Sequence, residues 1–182
     1  MIKLSNKQVI YVHIEKCGGT SIRSSLKPYI NIHTPEHHGC YNGSVVGKFV
    51  FTTVCNPWSR LVSWYHYMKQ HNDYQYMDQY NTFKEWISQC SLCGTMAIPV
   101  QQMHAKVTGD IKVYKLEYLH EQWSTILTSC GVWKPLQRFI KLKHINKSSH
   151  KDYKSYYDIQ TRAMVAGFVR EDAERFGYTF DN

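Results

Sequence analysis

Apolar residues follow two spacings along this chain, and each spacing predicts a different kind of element. The runs at 9–14 and 48–54 are short, nearly continuous and rich in β-branched and aromatic residues. Such runs are typical of strands that are buried on both faces of a parallel sheet. After each run apolar residues recur at helical spacing, at Ile22 and Leu26 and then from Leu61 onward. The pattern therefore predicts two strand–turn–helix units, and Pro57 lies near the start of the second helix, where proline is favoured.

Weaker patterns predict several further elements. A short strand is predicted at 29–32, and residues 72–80 are polar and indicate a loop or a weak helix. A short amphipathic helix is predicted at 82–89, and another helix at 121–130 that Gly131 ends. Together the elements predict an α/β fold, with a mostly parallel central sheet flanked by helices.

Length and composition favour one packed domain. The 182 residues are enough for one full core and few for two, which predicts a single domain over 1–182. A hydrophobic share of 43% and an aromatic share of 14% exclude an intrinsically disordered chain. No apolar run reaches the roughly 20 residues that a membrane-spanning helix needs. The first residues lead directly into a strand and leave no room for a signal peptide, so we expect a soluble, cytoplasmic protein without a membrane partner.

The charge balance indicates an anionic partner. The net charge is +8 and the isoelectric point is near 9.1. Lysines and tyrosines are interleaved toward the C-terminus, a pattern that can follow nucleic acid but is also typical of a solvated face with buried tyrosines. Nucleic acid is not the partner we expect.

The six cysteines are expected to be reduced thiols, because no secretory signal precedes them. Cys90 and Cys93 form one C-x-x-C pair. A zinc site would need a second pair of cysteines or histidines at ligand spacing, and none is obvious. No metal is therefore expected.

The turn after the first strand has the composition of a phosphate-binding loop. Two adjacent glycines, Gly18 and Gly19, let the backbone approach an anion closely, and the following helix directs its positive end to the same point. Thr20 and Ser21 add hydroxyl donors, and Lys16 adds a full charge. The loop is not a Walker A motif, because its lysine precedes the glycine pair.

Three histidines follow the predicted short strand. His33, His37 and His38 lie within six residues of one another. Histidine is the natural general base near neutral pH, although an exposed polar loop would also explain the cluster.

These residues carry a family resemblance. Tyr11 to Leu26 resembles the 5'-phosphosulfate-binding motif, I-P-K-T-G-G-T-S, of sulfotransferases that use 3'-phosphoadenosine 5'-phosphosulfate (PAPS). Phe51 to Tyr65 resembles their 3'-phosphate-binding motif, F-x-F-V-R-N-P-x-x-R-L-V-S-x-Y. The chain is most similar to the branch that acts on carbohydrate hydroxyls. Further similarity lies in a Pro-Gln segment at 99–102, a strand with Glu-x-Leu at 110–119, an Asn-x-Ser and tyrosine region at 144–157, and a terminal helix with a Phe-Gly-Tyr ending at 169–178.

The resemblance implies a P-loop-like three-layer fold and a set of roles. It implies PAPS as cofactor and a glycan or other hydroxyl-bearing acceptor as partner. Lys16 would contact the bridging and leaving oxygens, and His33 or His38 would be the base. The implied cofactor-binding residues are Lys16, Cys17, Gly18, Gly19, Thr20, Ser21, Cys55, Arg60, Ser63 and Ser148.

Three positions depart from the family pattern. Cys55 stands where the family has an arginine, which removes a permanently charged contact to the 3'-phosphate; Arg60, Lys147 and Lys151 are candidates to replace that charge. Glu15 replaces the motif proline and adds negative charge next to the anion site, and Cys17 replaces the motif threonine. Even with these departures, an active sulfotransferase ranks first, ahead of a weakened or inactive nucleotide- or glycan-binding module of the same fold. A phosphoryl-transfer enzyme ranks last, because no clear magnesium-binding aspartate follows the second strand.

Overall fold

The computed structural model describes residues 3–35, 41, 43–92, 103–145 and 150–182. The chain divides into two compact units. Unit 1 comprises Met1–Cys55 and Ala105–Lys147, and unit 2 comprises Asn56–His104 and Ser148–Asn182. The expectation of one domain over 1–182 stays a prediction.

Unit 1 contains a four-stranded, all-parallel sheet, as the sequence pattern predicts. The strands are β1 Ser5–Val12, β2 Ile30–His33, β3 Lys48–Val54 and β4 Lys112–Lys115, and their order in the sheet is β2-β1-β3-β4. In register, Val9 of β1 pairs with Phe49 of β3 and Ile10 pairs with His33 of β2. Because all strands are parallel, their carboxyl ends lie along one edge of the sheet.

The helices of unit 1 connect the parallel strands and end at recognisable signals. The first helix, α1, spans Gly19–Leu26 and links β1 to β2. A 3-10 turn at Leu116–Tyr118 follows β4 and leads into α5, Leu119–Ser129. The predicted stop after α5 is confirmed, since Gly131 has a φ of 79° that other residues seldom adopt. A short helix, α6, spans Lys134–Gln137.

The core of unit 1 forms where the central strands pack against α1 and α5. Tyr11 of β1 and Phe51 of β3 are fully buried and contact each other, with ring centroids 5.0 Å apart. From α5, Trp123 is buried and its indole Nε1–H donates to the Ile140 carbonyl at 2.7 Å. The remaining buried members of this core are Val9, Ile22, Leu26, Ile30, Tyr114, Leu119, Ile126, Leu127, Cys130, Val132 and Ile140.

Unit 2 is helical in its described residues. Its elements are α2 Pro57–Gln70, a 3-10 helix at Asn72–Gln79, α3 Phe83–Leu92, a 3-10 helix at Tyr153–Tyr156 and α7 Ile159–Phe176; a short helix, α4 Met103–Lys106, crosses from its sequence range into that of unit 1. In α3 the predicted inward residues Phe83, Trp86 and Ile87 are all buried. No described helix is long and apolar enough to cross a membrane.

The ends of α7 show why its length exceeds the predicted terminal helix. Asp158 and Thr161 form a capping box, in which each side chain accepts a hydrogen bond from the backbone N–H of the other residue. At the other end Gly177 is left-handed, with a φ of 64°. The helix therefore begins well before the predicted region at 169–178. Its N-cap lies in a tyrosine-rich stretch where the sequence pattern did not predict the start of a helix.

Candidate functional site

The loop between β1 and α1 begins with a tight turn. The Cys17 backbone N–H donates to the Ile14 carbonyl at 3.3 Å. Lys16 occupies the third position of this turn with a φ of 63°, and among the described residues it is the one non-glycine residue with a positive φ. A left-handed conformation costs a non-glycine residue about 1–2 kcal/mol. A lysine therefore occupies a turn position whose left-handed conformation glycine would adopt at a lower free energy.

The N-terminus of α1 is open toward the loop. Gly18 is the N-cap, with a φ of 78°, and no side chain caps the helix. The first intrahelical bond runs from the Ile22 N–H to the Gly18 carbonyl at 3.1 Å. The N–H groups of the first turn therefore have no acceptor within the helix, and together with the helix dipole they favour an anion.

Neighbouring side chains crowd both glycines. A Cβ on Gly18 would lie 2.6 Å from Leu116 Cδ1, and a Cβ on Gly19 would lie 2.0 Å from the His13 ring. The imidazole of His13 therefore lies directly against the loop and is also stacked on Tyr11, with ring centroids 6.0 Å apart. Sequence reasoning did not single out His13; the signal would have been a polar residue directly after the last strand residue, Val12.

Lys16 is partly desolvated within this loop. Burial lowers the pKa of its ammonium, while the neighbouring thiols of Cys55 and Cys17 oppose that shift. A charge with little water around it interacts more strongly with an anion than an exposed one does. The loop therefore combines a cation that is poorly hydrated with an open helix N-terminus.

The negative charge of Glu15 is neutralised within unit 1. Lys106 Nζ lies 2.8 Å from both Glu15 carboxylate oxygens. The Lys106 side chain is only 1% exposed and that of Glu15 is 17% exposed, so this is a largely buried ion pair. Sequence reasoning expected Glu15 to add negative charge beside the anion site. Lys106 lies too far away in sequence for local patterns to identify it as the partner.

Cys55 lies against the same loop from the end of β3. Its Sγ is 3.3 Å from Cys17 Sγ and 3.7 Å from the Lys16 carbonyl oxygen. Thr53, also on β3, donates its hydroxyl to the Cys17 carbonyl at 2.6 Å. The Tyr11 hydroxyl in turn lies 2.7 Å from Thr53 Oγ1, and burial raises the pKa of Tyr11. Side chains from both central strands therefore fix the position of the loop.

Ser21 binds a neighbouring segment of unit 1. Its hydroxyl donates to the Ile145 carbonyl at 3.2 Å and accepts from the Ile145 N–H at 3.0 Å. One turn later Ser25 accepts from the Lys143 N–H at 2.8 Å. The two serines thus hold residues 143–145 alongside α1. The Ser21 hydroxyl, predicted as a cofactor donor, is occupied by these contacts, whereas Thr20 is exposed.

Of the two predicted bases, His33 lies within the described residues and His38 does not. His33 is the last residue of β2 and is exposed at the carboxyl edge of the sheet, the edge from which the loop also emerges. His38 lies outside the described residues, as do His37 and the predicted cofactor residue Ser148.

The remaining predicted residues of the second motif belong to unit 2. Arg60 and Ser63 lie on α2, where Arg60 is 2% exposed and Ser63 is half-buried. The N-terminus of α2 is closed by Asn56, whose Oδ1 accepts from the N–H groups of Trp58 at 3.0 Å and Ser59 at 3.2 Å. The two motif helices therefore differ, since α1 lacks a side-chain cap and α2 has a strong one.

Unit 2 also contains a histidine cluster that the sequence did not indicate. His66 Nε2 lies 2.8 Å from the Tyr156 hydroxyl, and the His66 ring stacks on His150 with centroids 5.1 Å apart. Burial, with a contribution from His150, lowers the pKa of His66. Within the described ranges, no group of three or more histidine, cysteine, aspartate or glutamate side chains is arranged to hold a metal ion.

Comparisons of the chain with protein-family models, with curated proteins and with solved structures find no match.

Proposed function

We propose that this protein is a sulfotransferase of the sulfotransferase fold that uses PAPS and transfers a sulfuryl group to a hydroxyl of a carbohydrate or similar acceptor. The observation that carries the proposal is the loop of unit 1, in which the uncapped N-terminus of α1 and the partly desolvated Lys16 converge after β1. The parallel α/β sheet supports the same fold. The order of the two motifs in the chain supports the same cofactor.

Each proposed role follows from the charge that moves in the reaction. In an in-line transfer the acceptor oxygen forms a bond to sulfur while the bond from sulfur to the phosphate oxygen breaks. Negative charge then grows on the leaving phosphate, and Lys16 with the first-turn N–H groups of α1 would stabilise it. The acceptor hydroxyl loses its proton to a base, for which His33 or His38 is proposed.

Cys55 supports a second candidate, a nucleotide- or anionic-glycan-binding module of the same fold. The family arginine at this position would supply a charged contact to the 3'-phosphate, and a thiol cannot. Cys55 is 4% exposed and packs against Cys17 and the Lys16 carbonyl. Loss of such a contact weakens binding by about 1.5–3 kcal/mol, roughly ten- to a hundredfold.

Calorimetric titration with adenosine 3',5'-bisphosphate tests the proposed cofactor class, with AMP and ATP as controls. We expect selective binding of the bisphosphate and a loss of about tenfold or more in Lys16→Ala, because that change removes a charge-assisted contact. Lys27→Ala is the matched control, since Lys27 is exposed at the opposite end of α1. Its affinity should equal that of the wild type.

Turnover separates the two candidates. Release of adenosine 3',5'-bisphosphate from PAPS, followed across a panel of glycan acceptors, should occur with the wild type and disappear in Lys16→Ala. Selective binding without transfer to any acceptor would favour the binding module. A preference for ATP over the bisphosphate would refute the sulfotransferase and support a phosphoryl-transfer enzyme or a nucleotide-binding module.

A further inference from the structure

Two thiols meet inside unit 1 at the loop that carries Lys16. Cys17 Sγ and Cys55 Sγ are 3.3 Å apart, and the two residues are 0% and 4% exposed. Neither of the two is part of a disulfide in this structure. A disulfide has an S–S length of about 2.0 Å, so the sulfurs need to approach by only about 1.3 Å to bond.

The two cysteines follow neighbouring parallel strands of the sheet. Val12 of β1 pairs with Thr52 of β3, and the backbone continues from Val12 to Cys17 and from Thr52 to Cys55. The hydroxyl of Thr53 also holds the Cys17 carbonyl at 2.6 Å. Side-chain rotation with a small shift of the loop would therefore bring the sulfurs together.

We propose that Cys17 and Cys55 are a redox-modification site that forms a reversible disulfide with hydrogen peroxide as oxidant. One thiol ionises and its thiolate attacks a peroxide oxygen; the O–O bond breaks, and the leaving hydroxide takes up the proton that the thiol released, so a sulfenic acid and one water result. The second thiol then attacks the sulfenic sulfur, the S–S bond forms and a second water leaves. In total the two thiols lose two electrons and two protons, and one peroxide becomes two waters.

The surroundings of the pair favour the first step. The thiolate is the reactive form of cysteine, and a nearby cation stabilises it. The Lys16 ammonium interacts electrostatically with both thiols. Peroxide is close to water in size, and Cys55 keeps 4% exposure beside the loop, whereas Cys130 is fully buried among the core residues.

Bond formation would also change the anion site. Cys17 directly precedes Gly18, the left-handed N-cap of α1. Drawing Cys17 toward β3 pulls on the turn that positions Lys16, so the oxidised protein should bind a phosphate-bearing nucleotide more weakly. This consequence rests on the proposed function, whereas formation of the disulfide does not.

Peptide mapping of the peroxide-treated wild-type protein tests the disulfide itself. Trypsin should release Cys17–Arg23 and Phe49–Arg60 as separate peptides from the reduced protein, and as one linked species from the oxidised protein. The linked species should weigh about 2 Da less than the two peptides together. Dithiothreitol should separate them again.

Variants show whether the pair is specific. Cys17→Ala and Cys55→Ala should each abolish the linked species, and Cys130→Ala, which removes another buried thiol of unit 1, should retain it. Absence of the linked species in the wild type, or oxidation of Cys17 or Cys55 only to unlinked acids, would overturn the proposal. So would linkage of either peptide mainly to one containing another cysteine.

Nucleotide titration then tests the consequence. We expect peroxide to weaken binding of adenosine 3',5'-bisphosphate about tenfold or more in the wild type and in Cys130→Ala, reversibly with dithiothreitol. Cys17→Ala should show no change on peroxide treatment, whatever its starting affinity. If the reduced protein does not bind the bisphosphate, the proposed function fails while the linked peptide still decides the disulfide. A linked peptide with unchanged affinity would refute the effect on the loop.

Discussion

The ion pair between Glu15 and Lys106 should make the two residues energetically dependent on each other. Lys106 is 1% exposed and donates to both Glu15 oxygens at 2.8 Å. Removing one partner of a buried pair leaves the other charge desolvated, which costs about 3–5 kcal/mol. Replacing both partners with uncharged groups of similar size leaves no buried charge, so the double variant should lose far less than the two single losses combined.

The exposures of the two side chains set the expected magnitudes. In Lys106→Met the remaining carboxylate keeps 17% exposure and some hydration, so we expect a loss of about 3 kcal/mol, at the lower end of the range. In Glu15→Gln the remaining ammonium is 1% exposed, so the loss should be as large or larger. The double variant Glu15→Gln/Lys106→Met should recover at least about 2 kcal/mol relative to additivity.

Urea unfolding monitored by tryptophan fluorescence measures the free energies of unfolding for the cycle. Lys112→Met is the matched control, because Lys112 is exposed on β4 and its loss should change stability by less than about 0.5 kcal/mol. Single losses that add in the double variant to within about 0.5 kcal/mol would refute the coupling. Such a result would mean that the pair does not neutralise Glu15 in solution.

Two pH-dependent predictions follow from unit 2. Hydrogen bonds from Lys84 and from the cap of α7 hold the pKa of Asp158 well below its ordinary value. The ionised Asp158 carboxylate therefore stabilises the folded protein above about pH 4, and this stabilisation is lost as the pH falls below that. The urea midpoints of wild type and Asp158→Asn should therefore converge below about pH 4, and a gap unchanged at about pH 3 would contradict the assignment. Burial and His150 lower the pKa of His66, so the unfolded chain binds that proton more readily and stability should decrease as the pH falls below 6.5. His66→Asn should flatten the decrease between about pH 6.5 and 5, and an identical slope in both proteins would exclude His66 as its source.

Local patterns were enough to predict most of the elements. The apolar run at 48–54 corresponds to β3 in both bounds, because a strand that is buried on both faces shows its whole length in its composition. β1 begins earlier than predicted, at Ser5, since residues 6–8 are exposed and backbone pairing alone makes them a strand. The expected stop at Gly131 and the expected position of Pro57 near the start of α2 are confirmed for the same local reason.

The candidate site was predicted in its composition and not in its contacts. The glycines, Lys16 and the following helix are adjacent in sequence, so their convergence follows from a strand–turn–helix unit alone. The positive φ of Lys16 did not follow, because a lysine carries no local preference for that conformation.

By itself, therefore, the sequence determined the parallel α/β order and the position of a charged glycine loop after the first strand. Only the tertiary structure decided that Lys106 neutralises Glu15, that Ser21 holds Ile145, and that Cys17 meets Cys55. The residues of each pair are far apart along the chain, by 91, 124 and 38 positions. Periodicity reports how one segment divides its faces between core and solvent, whereas contacts at such separations depend on how strands register and helices pack.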